Sequence, residues 1–123
     1  MKKIATNKAP SAIGPYSQAI AYNGILYTSG QIAINPTTGN IDGKTIEEQA
    51  EQVMQNLKAV LEEAGTCFEN AIKTTCFLAD MKDFAKFNEI YGKYFTEKPA
   101  RSCVAVKELP KGALCEVEVI AKN

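Results

Sequence analysis

The chain has 123 residues, of which 46% are hydrophobic and 23% charged, and this composition is typical of one globular domain over residues 1–123. Its 14 basic and 14 acidic side chains cancel, so no basic surface for a nucleic-acid partner is predicted. There is no histidine, which excludes Ser-His-Asp triads, Cys-His nucleophile pairs and histidine-ligated metal sites.

The first third of the chain is predicted to form strands. Segments 18–22 and 25–29 flank Asn23-Gly24, a dipeptide that favours the positive φ angles of a tight β-hairpin. Segment 30–43 is rich in Asn, Pro, Asp and Gly, which predicts an ordered surface loop.

Helical signals follow this loop. Thr45 and Glu48 have the spacing of a capping box, and apolar residues then recur at helical intervals until Gly65. This pattern predicts a helix of about 18 residues. Segment 72–78 is predicted to be a short strand, and segment 83–95 a second helix.

Two strands, 101–109 and 114–121, are predicted to close the chain as a hairpin through residues 110–112. The order of elements predicts an α+β fold, a mixed β-sheet with two helices packed on one face. The other face of such a sheet needs a cover, and its Val, Ala and Cys side chains favour a second subunit there.

The four cysteines stand far apart with no Cys-x-x-Cys pair, so neither a metal site nor a disulfide framework is predicted. No apolar leader segment follows the first residues, and no stretch has the length and hydrophobicity of a membrane span. We therefore expect a cytoplasmic protein with no membrane partner.

Arg101 is the one arginine among 14 basic side chains, and it stands at the start of a predicted strand. A planar guanidinium holds a carboxylate or a phosphate with two parallel hydrogen bonds, which an ammonium group cannot do. Arg101 is therefore a candidate for binding an anionic ligand. The alternative is a surface arginine, or one paired with a structural glutamate.

Glu116 lies among apolar residues and shares a strand face with Glu118. A carboxyl group on a half-buried strand has a raised pKa unless it is paired, and it can then act as a base near neutral pH. The alternative is that both glutamates face solvent. In the predicted hairpin Arg101 and Glu116 lie about 20 Å apart, so a site that uses both would lie at a subunit boundary.

Weaker signals mark five more positions. A Gly-Pro-Tyr turn carries Tyr16, and the strand end Ser29-Gly30 can offer backbone N–H groups to an anion. Each signal is weak by itself, since most Gly-Pro-Tyr turns are only turns. Cys103 shares the strand face of the arginine and can also be a small buried side chain, while Asn88 on the second helix can also be a solvated one.

Taken in order, these motifs and their neighbours resemble the RidA (YjgF) family of reactive intermediate deaminases. The resemblance extends over essentially the whole chain. The segments that carry it are Ile13-Gly-Pro-Tyr-Ser-Gln-Ala19, Thr28-Ser-Gly-Gln-Ile32, Pro36-Thr-Thr-Gly39, Asp83-Phe84, Asn88, Pro99-Ala-Arg-Ser-Cys103, Leu109-Pro110 and Glu116-Val-Glu118.

The resemblance implies a chorismate-mutase-like fold and a homotrimer with ligand clefts between its subunits. It implies no metal and no organic cofactor. Deaminating members of the family hydrolyse 2-iminobutanoate and 2-iminopropanoate, and their enamine tautomers, to 2-oxo acids and ammonia. Pyridoxal-phosphate enzymes release these imines, so the expected partner is a small carboxylate substrate.

The resemblance also implies roles for single residues. Arg101 would hold the substrate carboxylate with help from the backbone N–H of Gly30. Glu116 would position or deprotonate the attacking water, and Tyr16 would donate a hydrogen bond near the imine. Cys103 would line the pocket.

Ser29 and Asn88 match further positions in the family's cleft. Segment 95–101, beside the expected cleft, is a few residues shorter than in many relatives. Two other functions compete with imine hydrolysis. One is a non-catalytic module that binds a small ligand and regulates a partner protein. The other is a ribonuclease or translation inhibitor, which the zero net charge and the missing histidine disfavour.

Overall fold

The computed structural model describes all 123 residues, which form six strands and two α-helices. The strands are β1 (Lys2–Ile4), β2 (Ala19–Tyr22), β3 (Ile25–Thr28), β4 (Ala71–Leu78), β5 (Ala100–Ala105) and β6 (Cys115–Lys122). The helices are α1 (Ile46–Glu63) and α2 (Phe84–Tyr94). All strands join one sheet in the order β1-β2-β3-β6-β4-β5. Only the β4–β5 pair is parallel, so the predicted mixed α+β fold is confirmed.

The N-terminal hairpin is confirmed, and it is extended by one strand that the prediction lacks. Asn23 and Gly24 have φ angles of 51° and 76°, as a tight turn between antiparallel strands requires. Strand β1 pairs with β2 in antiparallel register. Its three residues are too few to show the alternation from which a strand is predicted.

Helix α1 begins and ends where its capping signals predict. The Oγ1 atom of Thr45 accepts a hydrogen bond from the backbone N–H of Glu48, and Oε1 of Glu48 accepts one from the backbone N–H of Thr45. Gly65, just after the helix, has a φ of +80°, which a residue with a side chain rarely adopts. The buried stripe of α1 packs on the sheet through residues that include Val53, Leu57 and Val60.

The predicted C-terminal hairpin is wrong. Strands β5 and β6 are not neighbours, because β4 lies between them, parallel to β5 and antiparallel to β6. Helix α2 carries the chain from β4 across to β5, and such a crossover joins parallel strands. Period-2 alternation places the faces of a strand but does not select its partner, so it is compatible with both pairings. The strand predicted over 101–109 also ends earlier, at Ala105.

Both helices cover one face of the sheet, where Leu26, Cys76 and Val117 are fully buried. On the other face Tyr22 and Tyr27 keep about half of their surface exposed, 52% and 46%. We call this second surface the open face of the sheet. No helix combines the length and the hydrophobicity needed to cross a membrane.

Candidate functional site

Four of the predicted site residues line one cavity of about 510 Å³, which we call the Glu116 cavity. They are Tyr16, Ser29, Gly30 and Glu116, and they come from the N-terminal segment, the end of β3 and the start of β6. Residues far apart in the sequence meet here because β3 and β6 are adjacent in the sheet.

The segment after β3 lies directly against the carboxyl group of Glu116. A Cβ atom on Gly30 would stand 2.5 Å from Oε2 of Glu116, so any larger residue here would displace that carboxylate from its position. The next residue, Gln31, exchanges two backbone hydrogen bonds with Val117, at 2.9 and 3.1 Å. The close approach of Gly30 thus shields one side of the Glu116 side chain.

Half-burial raises the pKa of the Glu116 carboxyl above its ordinary value, and repulsion from the Glu118 carboxylate raises it further. The two glutamates share the open face, because they are two residues apart on β6. The predicted direction of the shift is confirmed. A carboxyl group with a raised pKa is a better proton acceptor at neutral pH than an exposed glutamate.

The N-terminal side of this cavity is tied to the end of β3. The hydroxyl of Ser29 donates to the backbone oxygen of Ser17 at 2.6 Å, and the backbone N–H of Ser29 donates to the oxygen of Gln18 at 2.9 Å. Tyr16 stands two residues after Gly14, whose φ is +135°, and it lines the cavity while 53% of its surface stays exposed. The phenol therefore stands where an entering ligand would meet it.

Arg101 and Asn88 line a different cavity, of about 330 Å³, which we call the Arg101 pocket. Nη1 of Arg101 donates to Oδ1 of Asn88 at 2.7 Å. The guanidinium carbon lies 4.7 Å from the ring centre of Tyr91 and 5.4 Å from that of Phe84. The hydroxyl of Tyr91 is hydrogen-bonded to the buried Thr74 at 2.7 Å, which holds this ring in place.

No carboxylate neutralises Arg101. The ion pairs in the chain are Lys58–Glu62 and Lys82–Asp80, both on the surface. Aromatic faces and an amide oxygen stabilise a guanidinium without cancelling its charge, and one side of its fork remains able to donate. A half-buried arginine of this kind is suited to binding an anion, with a carboxylate or a phosphate as its best geometric match.

Cys103 lies on the same strand face as Arg101 but lines neither cavity of the single chain. It stands directly opposite Cys76 in the parallel β4–β5 pair. Burial raises the pKa of the Cys103 thiol, and the positive charge of Arg101 opposes this effect. The thiol is therefore mostly protonated at neutral pH.

Within one chain Arg101 and Glu116 cannot meet. Thr74 of β4 is the register partner of Arg101 on one side and of Val119 on the other, and these residues face the helices. Glu116 is three positions from Val119 on β6 and therefore points to the open face. The hairpin argument also predicted separation, but the actual cause is an intervening strand and two opposite sheet faces.

The rings of Phe84 and Tyr91 form an aromatic cage around the Arg101 guanidinium, and this cage was not identified from the sequence. Phe84, Asn88 and Tyr91 stand at positions i, i+4 and i+7 of α2, the spacing that puts them on one helix face. Two aromatic residues on one helix face are also typical of a buried core stripe. The asparagine between them is the signal that distinguishes it from an ordinary buried stripe.

Comparison with known proteins covers the whole chain. A family model described as endoribonuclease L-PSP matches residues 6–123. The proposed regulator AldR of Lactococcus lactis subsp. lactis is 56% identical over 123 residues, which are 99% of this chain and 98% of that protein. The 2-iminobutanoate/2-iminopropanoate deaminase of Mus musculus is 46% identical over 121 residues, which cover 98% and 90% of the two chains. The crystal structure of E. coli TdcF with bound serine has a TM-score of 0.95 and 42% identity, and the match covers 100% of this chain and 99% of that one.

The close contact between Gly30 and Glu116 predicts that their substitutions are coupled. Gly30→Ala should lower the free energy of unfolding by about 1 kcal/mol, because the new methyl group displaces the carboxyl group. In a Glu116→Ala background the same change should be neutral or stabilise by up to about 1 kcal/mol, since alanine restricts the unfolded chain. Urea denaturation of the four proteins measures this coupling. Equal effects of Gly30→Ala in both backgrounds would contradict the contact.

Proposed function

This chain belongs to the endoribonuclease L-PSP family, the YjgF/RidA/RutC family, and we propose that it hydrolyses 2-imino acids to 2-oxo acids and ammonia. The proposed substrates are 2-iminobutanoate and 2-iminopropanoate with their enamine tautomers, after the substrates in the name of the mouse relative. The observation that carries the proposal is a half-buried arginine with no acidic partner. A guanidinium with no acidic partner is free to bind the carboxylate group that every 2-imino acid carries.

The proposed reaction needs a base, which the chain itself supplies, and no cofactor. Glu116, as a carboxylate, takes a proton from water while the water oxygen attacks the electrophilic carbon of the protonated imine. The tetrahedral product carries a hydroxyl group and an amino group, and Glu116 then gives its proton to the nitrogen. The C–N bond breaks and ammonia leaves, while the Glu116 carboxylate accepts the hydroxyl proton as the carbonyl of the 2-oxo acid forms. That proton then passes to the released ammonia, which regenerates the carboxylate.

The other candidate residues would orient the substrate. The guanidinium of Arg101, positioned by Asn88, holds the carboxylate, and the backbone N–H of Gly30 donates to the same group. Tyr16 donates a hydrogen bond near the imine, and Ser29 and Cys103 form parts of the wall. Since the reacting carbon is already electrophilic, holding it beside a base accounts for a large part of the rate enhancement.

We propose further that the site is completed in a homotrimer, in which the Arg101 pocket of one subunit faces the Glu116 cavity of the next. The two halves lie on opposite faces of the sheet within each chain, so a neighbouring copy must supply the missing half. The exposed tyrosines of the open face support a covering subunit. The proposed location is the cytoplasm, with small carboxylates as partners and no nucleic acid.

A ligand-sensing role is the second candidate, because the relative AldR is a proposed regulator and TdcF was crystallised with serine. A sensor needs the anion-binding Arg101 but no base at Glu116. Glu116→Gln therefore separates the two functions. If the protein is an enzyme, the variant should still bind the ligand but should no longer hydrolyse it. An RNA-cleaving role has less support, because the chain has no histidine and a net charge of zero.

If the Arg101 guanidinium holds the substrate carboxylate with two hydrogen bonds, Arg101→Lys should lose most of the activity. An amino-acid oxidase generates the 2-imino acid, semicarbazide traps it, and the wild-type protein should lower the trapped fraction. Arg101→Lys should reduce this activity by about 10- to 100-fold, the equivalent of one or two charged hydrogen bonds. Lys58→Arg, the opposite exchange on the exposed face of α1, is the matched control and should leave activity unchanged. Full activity in Arg101→Lys would contradict the proposal.

A base at Glu116 predicts an acid limb in the pH profile of kcat/KM. Activity should fall as pH falls through the pKa of Glu116, because the protonated carboxyl group cannot accept a proton from water. Since that pKa is raised, the fall should begin at a higher pH than an exposed glutamate, with a pKa of about 4.3, would give. Glu118→Gln removes the repelling charge, so the limb should move to lower pH. A profile that Glu118→Gln leaves unchanged would speak against Glu116 as the titrating base.

A site shared between subunits predicts complementation. Arg101→Ala and Glu116→Gln proteins should each be inactive, and subunits mixed in equal amounts by unfolding and refolding should regain activity. In a three-fold ring, about one quarter of the interfaces would join an intact arginine to an intact glutamate. The expected activity is therefore about one quarter of wild type. A mixture as inactive as its components would place both residues in the site of one chain.

A further inference from the structure

Three buried amide side chains bind the backbone of segments around the Glu116 cavity. The side chain of Gln18 is hydrogen-bonded to the backbone of Thr6 and Pro10. Gln49 accepts a hydrogen bond from the backbone N–H of Leu114, just after the turn that contributes Pro110 to the cavity. Asn56 of α1 makes the third connection, to the loop after β3. All three amides are at most 5% exposed. None of them lines the cavity, so each acts on it only through backbone.

Asn56 has the most direct connection. Its Nδ2 atom donates to the backbone oxygens of Ile32 and Ile34, at 3.1 and 2.9 Å, and its Oδ1 atom accepts from Nε2 of Gln52 at 2.9 Å. Both amide protons are therefore used on one loop. With 1% of its surface exposed, Asn56 cannot exchange these partners for water without movement of α1 or of the loop.

Residues 30–34, the cavity loop, are held from two sides. On the side of β6, Gln31 is bonded to Val117 and Gly30 rests on the Glu116 carboxyl group. On the side of α1, Asn56 holds the two carbonyls that follow. The position of Gly30 over the carboxyl group therefore depends on both attachments.

We propose that Asn56 is a positioning residue for Glu116: it fixes the cavity loop over the carboxyl group and keeps water away from it. This inference deepens the proposed function and rests on it for its catalytic consequence, but its central test needs no turnover. The carbonyls of Ile32 and Ile34, once they lose their amide donor, would turn toward water. The loop would then move off Glu116.

The charges around Glu116 are separate from this effect. The cavity loop itself carries no charged residue, and β4 presents the uncharged Phe77 as register partner of Glu116. Glu118 on the same strand is the charged group that acts on the carboxyl group within the chain, and Lys111, from the turn before β6, and Tyr16 line the same cavity. In the proposed trimer the Arg101 of the neighbouring subunit would face the carboxyl group as well. Loosening the loop changes the hydration of Glu116 and leaves these charges in place.

The test follows the ionisation of Glu116 in the ligand-free protein. With glutamate side chains labelled with ¹³C, the Glu116 signal is identified by its loss in Glu116→Gln and followed through a pH titration. In Asn56→Ala the pKa of Glu116 should move down toward that of an exposed glutamate, because water reaches the carboxylate. If the imine assay detects turnover, kcat should fall by about 10- to 100-fold while KM changes little.

Leu61→Ala is the matched control, since it truncates a fully buried side chain of the same helix that makes no bond to the loop. It should lower thermal stability and leave the Glu116 titration unchanged. A folded Asn56→Ala protein with a wild-type titration would overturn the proposal, as would an equal shift in Leu61→Ala. If Asn56→Ala does not fold, Gln52→Ala, which removes the bond that orients Asn56, decides in its place. It should give a smaller shift in the same direction, and no shift would overturn the proposal. Absence of imine hydrolysis in the wild type would refute the proposed function alone.

Discussion

The insertion of β4 between β5 and β6 is the constraint on which the candidate site depends. It separates the strand that carries Arg101 from the strand that carries Glu116, and the register places their side chains on opposite faces of the sheet. Neither face of the sheet therefore carries both the candidate anion-binding group and the candidate base. Within one chain the candidate anion-binding arginine and the candidate catalytic carboxylate are thus separated, and the proposed reaction, which uses both, would require more than one copy.

The environment of Arg101 explains how a half-buried cation remains available. A charge withdrawn from water needs compensation, and a carboxylate within the chain would supply it at the expense of ligand binding. Here the compensation comes from the ring faces of Tyr91 and Phe84 and from the amide oxygen of Asn88. These groups stabilise the guanidinium and leave it positive. Thr74 contributes indirectly, since its hydroxyl holds the tyrosine ring in place.

Local signals in the sequence predicted local structure well. The capping box of Thr45 and Glu48 and the glycine after α1 define that helix, and Asn23-Gly24 defines the first hairpin, because each depends only on neighbouring residues. The pairing of β5 with β4 was not predictable in this way. It depends on where α2 returns the chain, whereas the alternation of the strand is the same for either partner.

The same contrast between local and tertiary features holds for the site residues. Residue type and local pattern were enough to select Arg101 and Glu116 as candidates and to predict the direction of the pKa shift of Glu116. Their supporting residues could not be selected in this way. The cage on α2 looks like core, and the bonds of Asn56 connect α1 to a loop more than twenty positions earlier in the chain. Such contacts depend on tertiary packing, which no short pattern encodes.

The contact between Gly30 and Glu116 has a consequence for other chains of this fold. A side chain at the position of Gly30 and a carboxylate at the position of Glu116 would compete for the same space. A chain with a larger residue at the first position must therefore move or lose the base at the second. The residues at these two positions can be compared directly in a sequence. A glycine together with a glutamate allows a shielded carboxylate in the cavity, whereas a larger residue at the first position requires a different arrangement of the cavity.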